Sequence, residues 1–407
     1  MNLPHQFIAG TKAKSSEVNE NFQAVKEAIE TCGTDLKDVE TNLEEFKTTI
    51  EPQVMPDYNN TLKEKAFIVS NAKNSITVKA GTIIRLELME DDVRYLQVDE
   101  DTDYNIYELL DTGISSLTAG KDYYIYLVQK DDEDEETKEI IKTVELKVSL
   151  NSTFPEGYNS VNSRKIGGFH TLCIAVTEAN APALVDTKIW SKHPAIGYNA
   201  GDIIPNSVWC LTHRPISEPN GMVYVDKIDK WVDIYLQGGK DGNPTSVFGA
   251  TVIDTRQQPN HQWDYQLVNK KLATDNDFMI FAEGSNQKTA IYGSAAPNPK
   301  TAGGHTDTAG KRMISGYFIE ECCGYLWQWL DEIAPTGGNA FSNYDGSASR
   351  GQSYGVPYCL LAGGPWNNSS SCGSRSRNAN NARSTTNANN GGRGVIRKDI
   401  IIQSLFG

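Results

Sequence analysis

The sequence predicts an α+β multidomain chain: an N-terminal coiled-coil helix, a β-rich middle domain and a C-terminal domain with much irregular structure. Three observations predict it. Apolar residues between 18 and 50 recur at alternating spacings of four and three. Runs of β-branched and aromatic residues fill 66 to about 195. All seven tryptophans lie at 190 or beyond, as do 26 of the 34 glycines. Composition therefore divides the chain into 1–56, 57–195 and 196–407.

The first element is a seam of Val18, Phe22, Val25, Ile29, Cys32, Leu36, Val39, Leu43, Phe46 and Ile50. Spacings of 4 and 3 sustained over more than four heptads make an a/d stripe rather than the broader stripe of a helix on a globular core. Such a seam buries its apolar face when chains associate, so it predicts a self-assembling stalk. The mixed seam residues leave the strand number open. Gly33 and Thr34 weaken the helix midway and Asp35 can recap it, while Pro52 and Pro56 end it.

In the middle domain, AFIVSNAKNSITVKAGTIIRLELM, RYLQVDED, DYYIYLVQK and EIIKTVELKVSL read as strands. The acidic run from Asp131 to Glu136 lacks the glycine and spacing of a calcium loop. It is expected at a solvated hairpin tip. Nothing in this region has a catalytic constellation, which suits a spacer.

In the last domain, tryptophans and turn-forming glycines suggest compact packing with long ordered loops. GMVYVDKIDKWVDIYL contains two strand-like runs, and LATDNDFMIFAEGS a short helix capped by Thr274 or Asp275. CCGYLWQWLDEI alternates around Trp327 and Trp329. Residues 363–395 hold eight asparagines, and no carboxylate occurs from 346 to 398. Arg350, Arg375, Arg377, Arg383, Arg393, Arg397 and Lys398 make that window an electropositive, amide-rich island. Flanking runs GVPYCLLAGG and GVIRKDIIIQSLF read as strands, so the island is expected to be an ordered polar surface rather than a linker.

Net charge of −14 argues against non-specific binding to nucleic acid or anionic membrane. No apolar run reaches the length of a membrane-spanning helix, and the N-terminus lacks a signal-peptide core. The seven cysteines show no metal-ligand spacing and read as buried thiols. Neither a cofactor nor a metal is expected.

The C-terminal half resembles the variable receptor-binding proteins of diversity-generating retroelements. The matching blocks are HRPISEPNGMVYVDKIDKWVDIYL, VFGATVID, FAEGSNQKTAIYGSA, GGHTDTAGKRMISGYFIEECCGYLWQWLDE and GGPWNNSSSCGSRSRNANN…GGRGV, in family order across roughly 210–396. SSEVNENFQAV resembles fibre-attachment segments of phage proteins, and GYNSVNSRKIGGFH a segment found before such domains.

The resemblance implies a C-type-lectin-like fold and a homotrimer at a phage tail-fibre tip, assembled in the host cytoplasm and joined to tail or baseplate proteins through its N-terminus. It implies binding to a host cell-surface receptor, protein or glycan, and setting of host tropism. It further implies a variable region rewritten by adenine-specific mutagenesis, whose substrate AAC and AAT codons encode asparagine. Residue by residue, Gly363, Gly364, Trp366, Gly373, Ser374, Arg375, Arg393, Gly394 and Val395 match the family scaffold, with Trp327, Trp329 and Trp366 as buried anchors beneath the variable loops. Pro365, Asn368, Ser371, Asn378, Asn380, Asn381, Thr385, Asn387, Asn389 and Asn390 fall at variable positions. Arg377 and Arg383 depart from the small residues expected there and are either scaffold changes or extra contact residues.

Three other motifs have simpler readings. Glu218-Pro219-Asn220 reproduces a sugar- and calcium-binding triplet of C-type lectins, but lacks a second ligand cluster and reads as a turn. Formylglycine-generating enzymes share the fold, yet Cys322 and Cys323 are adjacent and unsuited to a converging thiol pair. A carbohydrate-active or formylglycine-generating-type enzyme is thus the alternative. His305 lies in GGHTDTAG with no evident base partner and is expected to make a structural hydrogen bond.

Overall fold

The protein is seen in a computed structural model, which describes residues 18–31, 33–34, 37, 66–70, 72–89, 92–134, 137–291, 296–343 and 352–397. A helix, α1, spans 18–31, with 33–34 and 37 also helical. Its seam residues Phe22 and Ile29 are 70% and 65% exposed in the single chain. Cys32, Leu36, Val39, Leu43, Phe46 and Ile50 lie outside the described residues.

The middle of the chain is β-rich. It runs β1 (Ile68–Val69), β2 (Ser75–Val78), β3 (Thr82–Met89), β4 (Asp92–Val98), β5 (Thr102–Asn105), the one-turn helix α2 (Ile106–Leu109), β6 (Asp122–Glu133), β7 (Ile140–Ser149) and β8 (Ser163–His170). Strands β1, β2 and β5 form one sheet and β3 and β4 a second. The third has the order β7-β6-β8-β9, where β9 is Trp209–Cys210.

Strand β6 is central and buried on both faces, which explains why Tyr123 to Val128 is a continuous apolar run rather than an alternating one. On one face Tyr124, Tyr126 and Val128 pack with Trp209, Met222 and Trp231. Gly168 permits this approach: a Cβ there would sit 2.5 Å from the Tyr123 carbonyl and 2.7 Å from the Trp209 indole nitrogen. The acidic run is not wholly a tip. Asp131, Asp132 and Glu133 continue the ladder opposite Lys142, Ile141 and Ile140, and Asp131 accepts a 2.6 Å ion pair from the nearly buried Arg94.

The last part comprises β10 (Met222–Val225), β11 (Lys230–Asp233), α3 (Gln258–Leu267), β12 (Lys271–Leu272), α4 (Asp275–Phe281), β13 (Trp327–Asn343), β14 (Gln352–Gly363), β15 (Gly373–Ala382), β16 (Asn390–Gly391) and β17 (Gly394–Arg397). Two four-stranded sheets result, of order β10-β11-β17-β12 and β15-β14-β13-β16. Much of the remaining chain is turns and isolated bridges. Helix α4 starts where expected, with a full capping box between Thr274 and Asp277. Its Phe278 and Phe281 enter a core with Val223, Val232, Ile234, Ile314, Leu326 and Val395.

Strand β13 runs past Trp329 through Pro335, Gly337 and Gly338, residues that usually interrupt strands, with register shifts against β14 between Ala334 and Gly337 and between Gly337 and Phe341. One expectation changes here. Trp366 is only half-buried, packed against the edge of the core, whereas Trp327 and Trp329 are buried as expected.

Candidate functional site

The asparagine-rich segment lies over β13–β16, and its backbone is held at many points. Strand β15 pairs with β14, placing Asn378 opposite Leu361 and Asn381 opposite Cys359. Beyond it, the Arg383 carbonyl accepts from Gln258 N at 3.3 Å, that of Asn387 from Thr255 N at 3.1 Å, and that of Asn389 from Trp327 N at 2.8 Å. Lys300 Nζ donates to the Ala388 carbonyl at 2.9 Å. Upstream, Trp366 N donates to the Tyr325 carbonyl at 2.8 Å, and the Cys372 thiol to the Asn368 carbonyl at 2.9 Å and that of Pro365 at 3.3 Å. The scaffold thus grips main-chain carbonyls, which every residue type possesses.

The side chains follow a different rule. Asn368, Ser371, Asn380 and Asn387 are exposed, and Asn378, Asn381, Thr385 and Asn389 half-buried. Asn367, absent from the expected set, is exposed beside Asn368. Asn378 and Asn387 each use Oδ1 to accept from the amide two residues on, at 2.8 and 2.9 Å, which stiffens local turns. Two residues expected at the surface are not there. Asn390 is 1% exposed, because it forms β16 opposite Trp327. Pro365 is buried where its short bridge pairs with Tyr325.

The scaffold residues support this surface from below. Gly363 and Gly364 have φ of 92° and 93°, a region costly for other residues. A Cβ on Gly363 would meet the Cys322 carbonyl at 2.2 Å. Ser374 is buried and exchanges hydrogen bonds with Gln287 at 3.0 and 3.2 Å. Gly373 leaves room for that Gln287 amide. Gly394 N donates to Asp233 Oδ2 at 3.1 Å, and Val395 lies in the main core. Trp327 and Trp329 pack with Tyr265, Leu272, Cys359 and Leu361 beneath β14.

The arginines divide. Arg393 is fully buried; its guanidinium donates to Gln328 Oε1 and to the carbonyls of Asp233, Ile234 and Glu320. Arg377 is turned toward the protein, bonded to Asp275 with its guanidinium 5.1 Å from the Phe278 ring. Arg383 donates to Gln262 Oε1 at 2.8 Å. Arg375 is largely exposed, 3.7 Å from Glu283. Arg350 and Lys398 lie outside the described residues.

A polar network buried under the surface was not legible beforehand. His305 does have a partner: its Nδ1 meets the fully buried Glu321 carboxylate. That carboxylate also accepts from Gly303 N at 2.8 and 3.0 Å. Its neighbour Glu320 pairs with buried Arg312 at 2.6 Å. Burial alone lowers the His305 pKa, but the Glu321 charge and hydrogen bond outweigh it and the net shift is upward.

In the triplet Glu218-Pro219-Asn220, Asn220 Oδ1 accepts from the Tyr124 hydroxyl at 3.0 Å. Cys173, Cys210, Cys322, Cys323, Cys359 and Cys372 are all buried free thiols. Burial pushes Cys322 up to about 11, the reverse of an activated nucleophile.

Comparison with known proteins agrees with this geometry. Residues 66–210 match the family described as the Mtd second domain. A tail fiber receptor-binding protein of Bordetella phage BPP-1 is 28% identical over 324 residues, covering 74% of this chain and 73% of the relative. The solved Major Tropism Determinant U1 variant superposes with a TM-score of 0.66 at 25% identity, over 86% of this chain and 87% of the other. The I1 variant gives 0.63 at 26% identity, over 86% and 87%.

Proposed function

We propose that this chain, a relative of the major tropism determinants, is a phage tail-fibre-tip receptor-binding protein whose asparagine-rich surface contacts the host cell and sets tropism. One observation carries the reading. The backbone of 365–390 is fixed by bonds to its carbonyls and by β15 pairing, while Asn368, Ser371, Asn380 and Asn387 are exposed and Asn378, Asn381, Thr385 and Asn389 half-buried. Such a surface accepts changes of side chain without changes of fold, as a receptor-binding region under diversification requires. Asn368, Ser371, Asn378, Asn380, Asn381, Thr385, Asn387 and Asn389 are the contact set.

In the same reading, residues 1–56 attach the protein to the tail and associate through their heptad seam, 57–195 space the head from the stalk, and 196–407 form the C-type-lectin-like head. The assembly is a homotrimer on the virion. A retroelement edits the asparagine codons. The function is adhesion; the buried, high-pKa thiols at Cys322 and Cys323 give no support to formylglycine chemistry.

The test is adsorption of phage carrying fibres changed at several of these positions to Tyr, Phe or Asp. The expected result is altered host range with unaltered trimer mass and melting. Unchanged adsorption on every strain tried sinks the reading.

A further inference from the structure

A cleft of about 350 Å³ belongs to the middle domain, not to the asparagine surface. It lies between the turn after α2 and the segment that begins at the end of β7, and its size is that of a small-ligand site. Its lining includes the carboxylates of Asp111 and Glu156 and, among the described residues, no basic side chain. Ile114, Leu150, Phe154 and Tyr158 supply apolar wall.

Asp111 is the unusual member. It is 8% exposed, and among the described residues no group donates to its carboxylate. Neither oxygen is sealed from solvent, so the little surface it keeps opens on the cleft. Its backbone is fixed: the amide donates to the Val148 carbonyl at 3.0 Å, and the carbonyl accepts from Ile114 N at 3.1 Å. A carboxylate this deep without a partner costs folding free energy. The basic residues of the adjoining strands do not relieve it. Lys147 on β7 pairs with Glu145 at 3.0 Å, and Lys165 on β8 donates to the Ser152 carbonyl at 2.7 Å.

We propose that this cleft binds the cationic end of a lysine or arginine side chain presented by a protein partner. Asp111 accepts the charged donor, and the apolar wall packs against the methylene stem. Phe154 and Tyr158 add aromatic rings, which attract cations. A neutral sugar suits the lining less well, because polar groups it would need are already engaged. Ser149 Oγ accepts from Asn151 N at 2.9 Å, and Asn151 Oδ1 from Thr153 N and Oγ1 at 3.2 and 2.8 Å. Leu150 favours a protein over a free amine. It stands at the cleft 41% exposed, and the surface around an inserted side chain would cover it. The site lies in the part of the chain read above as a spacer, so it stands whether or not the asparagine surface binds the receptor.

Saturation-transfer NMR on the full-length chain tests this with the amides of Nα-acetyl-lysine and Nα-acetyl-arginine. At least one is expected to bind with about millimolar affinity. Asp111→Asn weakens that binding at least about tenfold, the scale of a lost charge-assisted hydrogen bond. Glu139→Gln, an exposed carboxylate outside the cleft, leaves it unchanged. Lysine amide acetylated at both nitrogens keeps the stem but not the charge and does not bind. Because the Asp111 carboxylate has no internal partner, Asp111→Asn keeps the wild-type melting temperature or raises it.

Equal binding of the amides to wild type and Asp111→Asn overturns the site. A lowered melting temperature for Asp111→Asn shows the carboxylate serving the fold and overturns it as well. Cadaverine binding more tightly than either amide overturns the protein partner. Methyl glucoside displacing the amides overturns the preference for a cation. A fall in assembly mass for Asp111→Asn shows the cleft filled by another copy and overturns an outside partner.

Discussion

Arg393 Nε donates to Gln328 Oε1 at 2.8 Å, joining the end of the variable segment to the start of β13. Both side chains are buried. Gln328 in turn donates from Nε2 to the carbonyls of Glu321 and Cys322, each at 3.0 Å. One guanidinium and one amide thereby satisfy five carbonyls of strands and loops that cannot reach one another by regular pairing.

Arg393→Ala is therefore expected to lose about 3–5 kcal/mol, because the buried carbonyls of Asp233 and Glu320 lose the guanidinium and that of Ile234 keeps only the Glu320 amide. Arg393→Lys recovers little, since one ammonium cannot reproduce the planar fork. Urea unfolding of the full chain measures this. A midpoint within error of wild type would contradict the role.

Surface and scaffold asparagines are expected to separate cleanly. Asn380→Tyr and Asn387→Asp stay within about 0.5 kcal/mol of wild type, as exposed substitutions generally do. Asn390→Tyr, although drawn from the same run of sequence, places a ring in a buried site opposite Trp327 and is expected to lose about 1–3 kcal/mol or more through overpacking. Thermal melts of the three variants side by side check the contrast.

That contrast marks what the sequence discloses and what it hides. The α4 cap, strands β10 and β11, and the buried Trp327 and Trp329 were legible because capping residues and apolar alternation are local signals. Asn390 was not, since an amide paired in a buried two-residue strand has the same letter as one in water. The Glu321 partner of His305 lies 16 residues away with no periodicity linking them. Strand β13 crosses Pro335, Gly337 and Gly338 because tertiary pairing with β14 overrides local preference.

The fold is expected to be most stable between two opposing histidine effects. Burial lowers the His193 pKa from 6.5 to about 4. The unfolded chain then binds more protons, so stability falls as pH drops from 6.5 toward 4. His305 is raised above 6.5. Its contribution is fully present below 6.5 and is lost as pH rises through its folded value. His305→Gln should flatten the alkaline limb and leave the acid limb in place. Melting temperatures from pH 4 to 9 measure both, and an unchanged alkaline limb counts against the Glu321 pairing.

Oligomeric state is open to a direct mass measurement. The seam residues Phe22 and Ile29 are exposed in one chain, and association is what removes such surface from water. Light scattering should give about 135 kDa, three chains of 44.9 kDa. Replacing Phe22 and Ile29 together by Glu should shift the mass downward. A single chain mass for the wild type would contradict the stalk.

The Cys372 thiol should prove to be a structural clamp rather than a reactive group. Burial pushes its pKa up to about 12, so the thiolate that reacts with alkylating agents is scarce at pH 8. Burial likewise pushes Cys359 up to about 12 and Cys322 up to about 11. Native protein treated with iodoacetamide at pH 8 is expected to leave all three unmodified, and denatured protein to be alkylated at every one. The clamp itself is the donation to the carbonyls of Asn368 and Pro365. Removing it in Cys372→Ala takes one donor from each carbonyl, both of which keep an amide donor, and should lose about 0.5–1.5 kcal/mol. The loss falls on the loop that presents Asn368 and Ser371, so amide exchange should rise at Asn368 N and Ser371 N, which bond to the Pro365 and Asn368 carbonyls at 3.3 and 3.1 Å. Faster exchange there, with the Arg383–Asn389 segment unchanged, is the expected pattern, because that segment is held by Gln258, Thr255, Lys300 and Trp327. Rapid native alkylation of Cys372, or exchange rising equally in both loops, would show that the thiol does not hold the first loop in place.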